Sequence, residues 1–510
     1  MTEDLTNTSN PTQDPGAKTL KNKKLGLIAY AFLSMAIIEP ISMLAGNSSA
    51  SVAYAGVNAP LVPLIGMIFI MFASVPILEY TRFVPFAGGY YGLAELGFGK
   101  AAGKWVALGY VASEIFGSGI LQAAFVPLIP FYAIYAIYGI LLPSWLFILI
   151  EVLVLLWAFV TSVTKVSMTF RIIIWVVVAQ IILAVGFSLY GLTTVHHLNF
   201  KPFSLQPSIG VSGLFLGVIL SGFLFYSGYG TSLPFSEEGK SRSTLWKATI
   251  ISLVATTIVG MLSMYAEVEM IGPTGLTSFV NSSNPAITAF YPLLGPIWIF
   301  IMLGVYVVGT MMVATGILGA GARVTYSLGR DNFFTSRRIN EYLSSLSKKT
   351  NTPFGAALVI FIFDLISTIA ITLLMFHFYG YYQGMFYSVF LAGSIFVSMW
   401  YFHHIVPDLA MIRAMPKVFK RKLTTPRNLF ISVISPIGGA ILFIYAYYEG
   451  YSSLTEPYTA GLIFVFLVMG ILSVWVAVKH HYKTLGDSFV NEEKLAEYVR
   501  NSNEREANQE

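Results

Sequence analysis

LGLIAYAFLSMAIIEPISMLAGNSSASVAYAG (residues 25–56) and GLFLGVILSGFLFYSGYGTSLPFSEE (residues 213–238) decide how this chain folds. Each holds an apolar stretch long enough to cross a bilayer core of roughly 30 Å. Each is also interrupted near its middle. In the first, Glu39-Pro40 is followed by Ser42, Gly46, Asn47, Ser48, Ser49 and Ser51. Pro40 removes a backbone donor and clashes with the preceding turn. In the second, Ser227-Gly228-Tyr229-Gly230-Thr231-Ser232 interrupts the run and Pro234 follows. Irregular backbone at this depth survives only where protein buries it or a cavity solvates it.

The rest of the chain places these two stretches in a membrane. Of its 510 residues, 56% are hydrophobic and 11% charged, against roughly 25% charged in soluble domains. The mean hydropathy is +0.71. Secreted, nucleic-acid-binding and disordered classes are excluded by that balance. The chain has no cysteine, which removes disulfides, thiolate metal sites and cysteine nucleophiles.

Twelve apolar stretches follow one another, at about 25–56, 61–83, 103–130, 142–162, 167–191, 209–236, 246–268, 293–328, 354–377, 383–406, 428–448 and 458–479. The positive-inside rule tests the count. With twelve spans, every lysine and arginine except Lys201 falls on one side. Both termini are therefore expected in the cytoplasm, with the plasma membrane as the expected location. The broken spans 1 and 6 are five apart and cross in opposite directions. That arrangement is the mark of an inverted five-helix repeat with its substrate at the two breaks. The expected division is a polar cytoplasmic tail at 1–24 that reads as disordered, a first repeat at 25–191 and a second at 209–406. Spans 11 and 12 occupy 428–479, before a cytoplasmic tail at 480–510 with a short helix over 492–499.

Three segments carry a family resemblance. EYTRFVPFAGGYYGLAELGFGKAAGKWVALGY (79–110) resembles the E-L-x-x-x-x-P-x-x-G-G-x-Y signature of the amino acid–polyamine–organocation (APC) transporters, through Glu79, Pro85, Gly88, Gly89 and Tyr91. FLFYSGYGTSLPFSEEGKSRSTLWKA (223–248) resembles their span 6 and the cytoplasmic motif after it. GARVTYSLGRDNFF (321–334) resembles the end of their span 8, with Arg323 and Arg330-Asp331. The resemblance covers residues 25–480. It implies an all-α integral membrane protein with the leucine-transporter fold, built as a 5+5 inverted repeat with spans 1 and 6 broken. It also implies alternating access and amino acids or amines as substrates. The departures are specific. EPISMLAG replaces the glycine-rich break of span 1, Gly230 stands where the span 6 motif ends in Glu, and Ser241 replaces a Pro. Span 5, RIIIWVVVAQIILAVGF (171–187), lacks the lysine of many proton-coupled relatives. Hydroxyls for a sodium ion are sparse between Thr315 and Arg323.

Four acids fall near mid-span: Glu39, Glu114, Glu151 and Asp364. Each costs about 2.5–3.5 kcal/mol to insert and is a functional hypothesis for that reason. Glu39 lies at a break and Glu114 on a span bordering it, so both are coupling candidates. Glu151 and Asp364 occupy matching depths of spans 4 and 9 and read as structural. Glu79 beside Arg82 reads as an interfacial pair, and Glu237 and Glu238 beside Lys240 and Arg242 as a solvated cluster, with a cytoplasmic gate latch as the alternative. His196-His197 and His403-His404 sit near span ends, where adjacent residues face apart and hold no metal. Asn281-Ser282-Ser283 is a sequon on the outer side.

The expected substrate site joins Ile38, Glu39, Pro40, Ile41, Ser42 and Met43 to Phe225, Tyr226, Ser227, Gly228 and Tyr229. Half-helix N-termini there suit a carboxylate. The expected function is secondary active transport of an amino acid or related amine, with the proton as the candidate coupled ion. An exchanger or uniporter without ion coupling is the alternative, and a channel the alternative of another class. No P-loop and no HExxH occur, so neither ATP-driven transport nor a membrane metalloprotease is expected. No cofactor, no metal and no nucleic-acid partner is expected, the partners being substrate, proton and lipid.

Overall fold

Glu39 adopts the left-handed conformation, with φ 58° and ψ 82°, and Pro40 comes next without an N–H to donate. Helix α1 (Leu27–Ile38) ends there. The chain turns through Pro40 and Ile41, widens into a π-turn at Met43–Asn47 and continues as α2 (Ser48–Ala55). The computed structural model describes residues 20, 25–204, 209–240, 244–281, 285–452, 456–487 and 490. Most of both expected tails, the helix over 492–499 and the two serines of the sequon lie outside them.

The described residues hold no strand and only one isolated bridge, Leu25 with Gly239. After the first break come α3 (Leu61–Thr81), α4 (Tyr90–Phe98) and α5 (Lys100–Ser113). A π-turn at Glu114–Ser118 leads into α6 (Gly119–Tyr138), then α7 (Ser144–Ser162) and α8 (Val166–Thr193). The second broken stretch is α9 (Gly210–Gly217), a π-turn at Val218–Gly222, the single turn α10 (Phe223–Tyr226) and a 3₁₀ segment at Tyr229–Glu238. A 3₁₀ run that long is uncommon and accompanies strain or function. Then come α11 (Thr244–Val280), α12 (Pro285–Arg330), α13 (Arg337–Leu343), α14 (Phe354–Lys417), α15 (Pro426–Leu429), α16 (Ser435–Ser452) and α17 (Tyr458–His481).

Ten helices among the described residues are long and apolar enough to cross a membrane. Two features separate that number from the twelve stretches of the sequence. The stretches at 354–377 and 383–406 run together as α14, bent at Gly380, whose φ of 74° and ψ of 164° suit a residue without Cβ. The break at Ser227-Gly228 cuts the sixth stretch short, leaving the shorter apolar helix Gly210–Gly222 and the single turn α10 before it.

Two apolar cores meet at the first break. Ile38, Ile41 and Leu44 pack in one with Phe223, Tyr226, Phe396 and Trp400. Leu33, Ile37 and Phe235 pack in the other with Val313, Ile317 and Met411. The second core lies toward the basic end of the bundle, where several ion pairs tie helix ends together. Glu79 accepts from Arg82, Arg421 and Arg427 at 2.9–3.0 Å, so the expected interfacial pair is the hub of a larger cluster. Lys104 is fully buried against Asp331, with Glu95 at 3.7 Å. The Glu237–Glu238 cluster, expected to be solvated, is buried. Glu238 pairs with Arg323 at 2.5 Å and Glu237 with Arg330 at 2.9 Å. Both partners come from the end of α12, about ninety residues away, and sequence neighbours could not reveal them.

Candidate functional site

The two broken stretches run beside each other along their length. Tyr30 donates to the Phe235 carbonyl at 2.7 Å, Ser34 to Ser232 at 3.1 Å, and Ser51 shares a hydrogen bond with Ser221 at 2.6 Å. Between these contacts, Gly228 lies directly against Ile37. A Cβ on Gly228 would overlap the Ile37 side chain and sit 3.0 Å from its carbonyl oxygen. Only a residue without a side chain fits that approach.

A cavity opens at this crossing, on the seam between the two cores. Ile37 contributes from α1, Ser227, Gly228, Gly230 and Thr231 from the second break, and Tyr90 from α4. Tyr110, Glu114 and Gln122 line it from α5, its π-turn and α6. Val313 and Ile317 line it from α12, and Phe396, Trp400 and His403 from α14. Five of these, Ile37, Val313, Ile317, Phe396 and Trp400, are apolar. Glu114 lines the cavity as well, and its carboxylate accepts from Ser118 at 2.7 Å. The π-turn at Glu114–Ser118 contains both members of that bond.

The residues singled out from the sequence divide by face. Ser227, Gly228 and Glu114 line the cavity. Glu39 is buried on another face of the break, accepting from Thr310 of α12 at 2.8 Å. Gln180 of α8 is close by. A Cβ on Gly309 would overlap its amide and lie 2.9 Å from the Glu39 carboxylate. Ile38, Pro40, Ile41, Ser42 and Met43 are buried around the turn. Tyr226 points away, donating to the Pro63 carbonyl at 2.9 Å and meeting Thr257 at 2.5 Å. Phe225 packs edge-on against it. Tyr229 reaches His404 instead, with hydroxyl and Nδ1 3.4 Å apart.

The remaining acids take up positions between helices. Glu151 accepts from Thr372 of α14 at 2.8 Å, a helix-to-helix bond. Asp364 lies against Gly119, beside the Glu114 turn. Glu267 on α11, which the sequence does not single out, is fully buried; it sits at the edge of its apolar stretch, and a census of every acid within the spans finds it. His403 and His404, expected near a span end, are buried well inside α14, because that helix runs on to Lys417.

A family model described as amino acid permease matches residues 25–489. The chain belongs to the amino acid permease family. The APC superfamily resemblance of its motifs is thereby established. The chain is 25% identical over 285 residues to the branched-chain amino acid permease BcaP of Lactococcus lactis subsp. cremoris (strain MG1363). That match covers 51% of the chain and 58% of its relative. Among solved structures, it is similar to a manganese transporter of Eremococcus coleocola, crystallised with an aromatic bis-isothiourea compound. The TM-score is 0.44 at 14% identity, over 90% of the chain and 98% of the transporter.

Proposed function

We propose that this permease is a secondary active transporter that moves an amino acid or related organic amine by alternating access. The observation that carries the reading is the meeting of two broken helices, Gly228 against Ile37, beside a cavity lined by one acid and by five apolar side chains. In this reading the chain crosses the plasma membrane twelve times, with the two halves of α14 counted separately and the sixth crossing completed by its 3₁₀ segment. Spans 1–5 and 6–10 form the inverted repeat, and both termini are cytoplasmic. The substrate carboxylate sits at the break segments 38–43 and 225–229, where helix ends offer N–H groups.

The apolar lining residues support an aliphatic side chain, and the relative's name points the same way. L-leucine, L-isoleucine and L-valine are therefore the first substrates to try, before the other amino acids and small amines. Labelled substrate taken up against its own gradient into proteoliposomes supports a transporter. Flux that only ever runs downhill, under imposed proton and sodium gradients alike, leaves a uniporter, an exchanger or a channel. Glu39 is the coupling candidate at the break itself. In Glu39→Gln proteoliposomes, proton-driven accumulation is expected to disappear. Its survival intact would remove Glu39 from coupling and leave Glu114 as the next acid.

A further inference from the structure

A second set of titratable side chains lies on the side of the cavity toward the basic end of the bundle. His403 lines the cavity, and its ring centroid is 5.0 Å from Tyr110 and 5.7 Å from Tyr90. Tyr110 lies beside the Glu114 carboxyl. Tyr90 packs edge-on against His404 at 4.4 Å. Asp408 lies four residues beyond His404 on α14, hence on the same helix face. Its carboxylate also faces Tyr90 and Tyr229. Glu114, Tyr90, Tyr110, His403, His404 and Asp408 are all buried. Nε2 of His404 and Oδ1 of Asp408 have no hydrogen-bond partner among the described residues. No lysine or arginine among them pairs with Glu114, Asp364 or Asp408.

Such a cluster is costly to bury, since each unpaired polar group loses its water without a replacement. A structural role would be served better by closed hydrogen bonds. An imidazole accepts a proton on one nitrogen and releases one from the other, and a hydroxyl both donates and accepts. These residues thus link the acid at the cavity to an acid deeper toward the basic end. Asp408 lies just before the point where Ala410 packs against Gly97 of α4.

We propose that His403, His404 and Asp408, with Tyr90 and Tyr110, form a proton relay joining Glu114 at the cavity to the basic end of the bundle. Each transfer breaks one O–H or N–H bond and forms another, so no oxidant or co-reactant is needed. The groups facing the relay are Ser118 and Asp364 beside Glu114, Tyr229 beside His404 and Asp408, and Trp400 over His404 at 4.1 Å. The relay rests on the transporter reading only for its physiological use, and its protonation can be tested without a substrate.

Trp400 supplies the signal, because a protonated imidazole in contact with an indole quenches its fluorescence. The full chain in lipid nanodiscs is titrated downward from about pH 8 to about pH 3, because burial disfavours the charged imidazole, and the Trp400→Phe trace is subtracted. A quenching step is expected in wild type. It should vanish in His404→Gln and move along the pH axis in Asp408→Asn. No step in wild type, or an unchanged step in both variants, overturns the relay. The second measurement compares two modes of transport of labelled L-leucine in proteoliposomes. Counterflow needs no net proton movement, whereas accumulation under a pH gradient does. His404→Gln and Asp408→Asn are expected to keep counterflow and to lose accumulation by roughly tenfold or more, the size of a typical coupling between two sites. Equal loss in both modes marks a structural role and overturns the relay. Wild type without counterflow for leucine or any other standard amino acid defeats the transport reading instead, and the fluorescence step still decides the relay.

Discussion

Single atoms decide whether the two breaks can meet. The Gly228 backbone touches Ile37 because no Cβ stands between them. Gly228→Ala adds an atom 3.0 Å from a carbonyl oxygen, and overpacking of this kind costs about 1–3 kcal/mol. Gly228→Val is expected to abolish uptake while the detergent-purified protein still elutes as a single species on size exclusion. Uptake at the wild-type rate would move the site elsewhere. Glu39 gives a second test at this scale. Its carboxylate accepts from the Thr310 hydroxyl, so Thr310→Val leaves a buried carboxyl without that donor. The expected loss is about 1–3 kcal/mol, read as a lower melting temperature in detergent. An unchanged melting temperature would mean that the bond contributes nothing.

Helices cross closely only where both surfaces are small. Gly66 on α3 faces Gly222 at the end of the π-turn 218–222, and a Cβ on Gly66 would lie 3.2 Å from the Gly222 Cα. A Cβ on Gly222 would lie 3.2 Å from the Val62 carbonyl oxygen. Small residues of this kind let backbones approach within a membrane, where lipid is as apolar as leucine and packing itself holds helices together. Gly66→Leu is expected to lower stability by about 1–3 kcal/mol. Because Gly66 and Gly222 share one gap, replacing both by alanine should cost something other than the sum of the single changes. Thermal unfolding of the two single variants and the double variant measures this; strict additivity would show that the two glycines do not share a contact.

At the scale of the whole molecule, the basic end is held by buried ion pairs between segments far apart in sequence. Arg323 and Glu238 lie 2.5 Å apart, and Arg323 also donates to the Gly319 carbonyl at 2.8 Å. Removing one partner strands a buried charge and costs about 3–5 kcal/mol. Arg323→Met is therefore expected to be severely destabilising, and Arg323→Met with Glu238→Gln distinctly less so. Salt should change the wild-type melting temperature little, since buried pairs are poorly screened. A double variant no more stable than the single would show that the pair is not coupled.

The sequence by itself determined the membrane class, the family and both breaks. Hydrophobic length and charge scarcity are properties of consecutive residues, and proline and glycine act on the backbone where they stand. Pro40 ends α1, and Gly228 opens the second break, for reasons visible within a few residues. Which side chains face the cavity was decided only by the tertiary structure. Glu39 and Ile37 are two residues apart, yet one turns to Thr310 and the other to the cavity. The left-handed turn at Glu39 rotates the residues after it, and no local pattern encodes its direction. The burial of Glu237 and Glu238 likewise waited on α12, and that of His403 and His404 on the course of α14 to Lys417. A side chain's facing depends on helix rotation against neighbours dozens to hundreds of residues away, and only packing settles that rotation.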